Sequence, residues 1–127
     1  MGNLFNGSFG STTPDNLIAG TTHPVDIKGV TVLTGQGILA RGTVLGIVTT
    51  SGKGKKVDSS AEDGSQVADC ILTDTVDTTN GDVVTSAYIS GEFNRGALVF
   101  GGTDDAADHE ATLRTKGIFL KDVQAYE

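Results

Sequence analysis

Ile71-Leu72-Thr73-Asp74-Thr75-Val76-Asp77, then Thr78-Thr79-Asn80-Gly81-Asp82, then Val83-Val84-Thr85-Ser86-Ala87-Tyr88-Ile89: this stretch decides the fold class. Two runs rich in β-branched and aromatic residues flank Asn80-Gly81. Asn-Gly in that setting is the strongest short-range hairpin signal, because both residues tolerate the positive φ of a tight turn. The pattern predicts antiparallel strands over 71–77 and 83–89.

Upstream, 67–72 reads as a further apolar stretch, and the polar segment 49–64 as an exposed loop or long hairpin with Lys53-Gly54-Lys55-Lys56 at its tip. Residues 38–48 read as one strand, with Leu39, Leu45 and Ile47 on one face and Val44 and Val48 on the other. Gly42 and Gly46 mark bends in it. Gly35-Gln36-Gly37 reads as a turn. Val25, Ile27, Val30 and Val32 alternate with polar residues but slip phase at Gly29, which predicts a bulge there. Downstream of Gly91-Glu92-Phe93-Asn94, the run Ala97-Leu98-Val99-Phe100 reads as buried. One short helix is expected over 104–116, capped by Thr103, with acids at its positive end, Arg114 and Lys116 at the other, and Gly117 as its stop. Ile118-Phe119-Leu120 gives a last strand. Eighteen glycines among 127 residues and no tryptophan suit a mainly β single domain of short strands and turns.

Residues 1–24 differ from the rest. Asp15 is their only charged side chain, and no periodicity survives among the Gly, Ser, Thr and Asn. They read as an extended or flexible N-terminal arm outside the core, leaving 25–127 as the β-rich domain. Yet Leu4, Phe5, Phe9, Leu17 and Ile18 are more apolar than an idle linker needs. Two readings stand on the residues alone: a frayed terminus, or a segment that orders on a partner.

Composition narrows the function. A net charge of −7 disfavours nucleic acid, whose phosphates must be met by Lys and Arg. No run approaches the roughly 18 apolar residues of a membrane span, and no start resembles a signal peptide. Met1-Gly2 fits myristoylation poorly, since Asn6 stands where Ser or Thr is required. Cys70, the single cysteine, has apolar neighbours and reads as a small hydrophobe.

Motifs for chemistry fail one by one. Gly35-Gln36-Gly37-Ile38-Leu39-Ala40 fits a loose dinucleotide fingerprint, but the mechanism needs a helix to open there, and Arg41-Gly42-Thr43-Val44 continues as strand. Gly52-Lys53 is part of a phosphate loop only if Ile47 were glycine and Gly54 were Ser or Thr. Residues 58–69 have the length of an EF-hand loop, but Gly64 comes one place late and Ser60 holds the third position. Cys70, His23 and His109 are a poor zinc set, and nothing local supports a Cys70–His109 nucleophile pair. No serine lies in a G-x-S-x-G elbow. The expectation is a non-enzyme without cofactor or metal.

Four segments in order then resemble the head decoration proteins of lambda-type bacteriophages. They are Leu39-Ala40-Arg41-Gly42-Thr43-Val44-Leu45-Gly46, Asp63-Gly64-Ser65-Gln66-Val67-Ala68-Asp69-Cys70-Ile71-Leu72 with Val76-Asp77, Ala87-Tyr88-Ile89-Ser90-Gly91-Glu92-Phe93-Asn94 with Ala97-Leu98, and Leu113-Arg114-Thr115-Lys116-Gly117-Ile118-Phe119-Leu120. Together they cover about residues 30–123. The resemblance implies a β-clip-like (β-tulip) fold and a homotrimer. It also implies a place on the outside of the expanded head, made in the host cytoplasm, where the protein cements the major capsid protein at threefold and quasi-threefold positions. No nucleic acid or membrane partner is implied. It further implies that the arm faces the capsid, which makes Leu4, Phe5, Phe9, Leu17 and Ile18 the candidate capsid-binding residues. The competing expectation is another β-rich virion module, such as a tail or receptor-binding component.

Overall fold

The computed structural model describes residues 17–20 and 24–122. In chain order these form β1 (Ile18–Gly20), β2 (Asp26–Val32), β3 (Ile38–Leu39), β4 (Val44–Ile47), β5 (Gly54–Lys56), β6 (Cys70–Leu72), β7 (Val76–Asp77) and β8 (Val83–Asn94). A 3-10 turn (Arg95–Ala97), the helix α1 (Ala106–Thr115) and β9 (Ile118–Lys121) follow. The protein is mainly β with one helix near its C-terminal end, as the composition predicts.

The long strand β8 organises the rest. Its first part pairs antiparallel with β2, from Val32↔Val83 to Ile27↔Tyr88, and with β6 through Ile71↔Tyr88 and Leu72↔Ala87. β2 touches β5 in parallel at Val32↔Gly54, β5 pairs with β4, and β4 with β6. The chain β8–β2–β5–β4–β6–β8 therefore closes into a small five-stranded, barrel-like ring. Beyond the ring, residues 91–94 of β8 are flanked by antiparallel β1 and by parallel β9.

Alternation along the strands sorts the apolar side chains into two clusters. Val30, Val32, Leu45, Cys70, Leu72 and Ala87 come from the ring strands and fill it. Their neighbours Val44, Ile71 and Tyr88 face the other way and pack with Phe93, Leu113 of α1 and Ile118 of β9. Strands buried on both faces read as continuous apolar runs, which is why Cys70-Ile71-Leu72 shows no alternation. The expected two faces of 38–48 are these two clusters, Leu39 and Leu45 in one and Val44 in the other.

Several local expectations are corrected. The 71–77/83–89 pair is antiparallel, but it opens after Leu72, and Gly81 does not take a positive φ. The reason is Thr78, which is fully buried. Its N–H donates to Gly37 O at 2.8 Å, and its carbonyl accepts from Gly35 N at 2.9 Å. These bonds draw β7 onto β3 and away from a tight turn at Asn80-Gly81. The 38–48 strand breaks at Gly42, whose φ is 96°. The register shift of β2 lies between Asp26 and Ile27, not at Gly29. Lys53 to Lys56 are not a hairpin tip, because Gly54–Lys56 is β5 itself. The 97–100 run is half-buried, with Val99 36% exposed. The cap of α1 is Asp105, whose carboxylate accepts from Ala107 N, while Asp108 accepts from Asp105 N; Thr103 lies in the turn before it.

Candidate assembly surface

Of the five candidate docking residues, Leu4, Phe5 and Phe9 lie outside the described residues. Leu17 and Ile18 stand at the root of the arm, and the structure separates their roles. Leu17 is 3% exposed and belongs to the cluster beneath α1, so its side chain is part of the core, against the expectation for 1–24. Its carbonyl accepts from Asn94 N at 2.7 Å. Ile18, opposite Phe93, is 37% exposed.

Gly42 explains how Leu17 fits. A Cβ on Gly42 would lie 2.8 Å from Ala97 O and 3.4 Å from the Leu17 side chain. The glycine of the Arg41-Gly42-Thr43-Val44 motif thus lets the 95–99 segment and the arm root close over the end of the ring. Its neighbours are equally structural. Arg41 donates to Thr73 O at 2.6 Å and to the Tyr88 hydroxyl at 2.9 Å, with its guanidinium over the Tyr88 ring. Val44 N donates to Val99 O and Val99 N to Gly42 O.

The residues tested for chemistry are held in structural roles. Cys70 is fully buried, and burial pushes its thiol up to about 12. His109 Nε2 is 2.7 Å from Asp104 Oδ2, its ring stacks on Phe100, and both side chains of the pair are 4% exposed. Ser59 donates its hydroxyl to Asp104 Oδ1 and its N–H to Oδ2, both at 2.6 Å. The Ser59 hydroxyl bond, then the His109 bond, and after them the Ser59 N–H bond hold the Asp104 carboxyl below the usual range. Activating a serine would need the histidine beside it, whereas here the carboxylate lies between them. In 58–69, Asp58 and Asp63 accept from Ser60 and Ser65, closing local turns. Among the described residues no three His, Cys, Asp or Glu side chains group to hold a metal, and no helix is long and apolar enough to cross a membrane.

The exposed large hydrophobics were not singled out from the sequence as surface. Val84 is 80% exposed, Ile38 69%, Ile27 54% and Val67 47%. One signal was available for the first: in Val83-Val84, strand alternation must turn one side chain outward.

The family model of the bacteriophage lambda head decoration protein D matches residues 7–119. The chain belongs to this head decoration family. Membership carries a capsid decoration role on the phage virion, within a structural family. The match takes in the later part of the arm as well as the whole ring. No curated protein matches the chain.

Proposed function

We propose that this head decoration protein is a β-clip-like cement protein. It forms homotrimers and binds the outer surface of the expanded head at threefold and quasi-threefold positions, holding neighbouring major capsid subunits together. It is made in the host cytoplasm and performs no catalysis. The observation that carries this reading is the family match over residues 7–119, which begins inside the arm. Leu17 supports it further: a buried anchor ties the arm to the body, so a load on the arm reaches the core.

Leu4, Phe5, Phe9 and Ile18 then supply the apolar contacts, with Leu17 as the anchor behind them. A weakly charged Gly/Thr-rich segment can add as a strand to a sheet edge of the capsid subunit, main-chain bonds giving affinity and the apolar side chains filling pockets. Three arms on one trimer raise the effective affinity far above that of one. Purified protein mixed with expanded, undecorated heads should add density over the threefold positions in cryo-electron images. Light scattering should give three times the 13.0 kDa chain mass. A monomer in solution, or bare threefold positions at saturating protein, overturns the reading.

A further inference from the structure

The sequence predicts a tight turn at Asn80-Gly81, and the fold does not use the pair as one. Gly81 takes no positive φ, and the chain is fastened on either side of the pair instead. Upstream, the hydroxyl of buried Thr78 accepts from Gln36 N at 3.0 Å and donates to Gly37 O at 2.8 Å. Downstream, the Asp82 carboxylate accepts from Thr34 N at 2.8 Å and from Lys53 Nζ at 2.5 Å. Thr79, Asn80 and Gly81 bridge these two anchors, after β7 ends and before β8 begins. Asn80 is exposed, and a Cβ built on Gly81 would meet nothing within 4 Å.

An asparagine in that setting has a chemistry of its own. The main-chain nitrogen that follows it can attack its side-chain Cγ and close a five-membered ring. A side chain on the following residue crowds that ring, whereas glycine lets the backbone approach. Packing suppresses the reaction by holding the side chain still. Asn94 shows the contrast: it is 5% exposed, its Oδ1 accepts from Gly96 N at 3.1 Å, and Arg95 follows it. Asn80 lies at the surface, is followed by glycine, and has open space where the ring must form.

We propose that Asn80-Gly81 is a site of self-modification, at which the folded protein converts Asn80 to aspartate and isoaspartate. Gly81 N bonds to Asn80 Cγ, the Cγ–Nδ2 bond breaks, and ammonia leaves with the amide proton. Water then opens the imide. Cleavage at Cγ gives aspartate, and cleavage at the main-chain carbonyl gives isoaspartate, each with one new carboxylate. In the isoaspartyl product the main chain runs through Cβ and is one atom longer between Thr78 and Asp82. Thr78 is buried, so the added length is taken up at the exposed anchor, Asp82. The new carboxylate also stands two positions from Asp82, where it competes for Lys53. Modification therefore loosens the link that ties the start of β8 to Thr34 and Lys53.

Peptide mass analysis after incubation at mildly alkaline pH tests the idea, with a guanidinium-unfolded sample alongside. Asn6-Gly7 is the same dipeptide, so the product is located in the peptide that holds Asn80. That peptide should gain one mass unit, with an isoaspartyl fraction, at a native rate within about tenfold of the unfolded rate, as for a loop that costs little to open. A native rate more than about tenfold below the unfolded one means that the fold protects Asn80, and overturns the proposal. Gly81→Ala, which the open space permits, should slow conversion in the folded chain by about tenfold or more. A smaller effect means that the ring does not form through that nitrogen, and also overturns it. In the purified isoaspartyl form, the Thr34 amide should exchange faster with solvent than in the unmodified protein. Unchanged exchange there overturns the displacement of Asp82.

Discussion

At the scale of single residues, the tightest point is where β4 passes the 63–65 turn. A Cβ on Gly46 would lie 2.3 Å from Ser65 O, and one on Gly64 2.7 Å from Ile47 O. Around Gly46 the three nearest atoms all belong to the Ser65 backbone, so no flexible side chain is there to give way. Gly46→Ala should therefore destabilise by about 1–3 kcal/mol, the usual cost of overpacking, measured as a shift in urea midpoint. Gly81→Ala, where a Cβ meets nothing within 4 Å, is the control and should stay within about 0.5 kcal/mol. The same turn gives a pH signature. The Ser65 hydroxyl, then its N–H, hold the Asp63 carboxyl down at about 2. A folded value below the unfolded one means the unfolded chain binds more protons between the two, so stability rises with pH there. The contribution of Asp63 is complete above the unfolded value and is lost as pH falls towards about 2. Urea midpoints measured between the two values should fall more steeply for the natural chain than for Asp63→Asn.

At the scale of elements, α1 is fastened twice. The Asp105 cap holds its first turn, and the His109–Asp104–Ser59 bonds tie it to the 58–60 turn. Asp105→Ala should cost about 1 kcal/mol, the common value for a lost N-cap. His109→Ala should lower the unfolding midpoint further, since it also removes a ring stacked on Phe100. The helix was legible because capping acids, terminal cations and a stop glycine are local signals. Its start was misplaced by two residues because Thr103 and Asp105 both have capping side chains, and only the fold decides between them. The strands divide in the same way. The two faces of 38–48 could be read from alternation. The opening of the hairpin could not, because Thr78 is drawn aside by Gly35 and Gly37, some forty positions away in the chain.

At the scale of the whole molecule, the boundary between arm and body decides what truncation means. Removing residues 1–16 should leave the ring intact while abolishing binding to heads, seen as loss of co-sedimentation. Removing 1–20 also deletes β1 and the buried Leu17, and should cost a further 2–5 kcal/mol or about that, as for other buried leucines. If the chain lacking 1–16 still co-sediments with heads, the arm is not what binds them. The family was legible because its segments spread over the body, from Arg41-Gly42-Thr43-Val44 to Gly117-Ile118-Phe119. The role of Leu17 was not, because an isolated leucine among Gly, Ser and Thr carries no periodicity to mark it as core.

The flanking of β8 by β1 and β9 has one more effect. Leu17 bonds to Asn94, and Lys121 lies opposite Asn94 in the parallel pair. Both ends of the described body therefore leave it side by side. A short linker between them would close the chain into a circle, and new termini opened in the exposed 49–52 turn would give a permuted protein with the same ring. By the same token, any cargo fused after β9 emerges beside the root of the arm, where its bulk competes for whatever space the arm must cross.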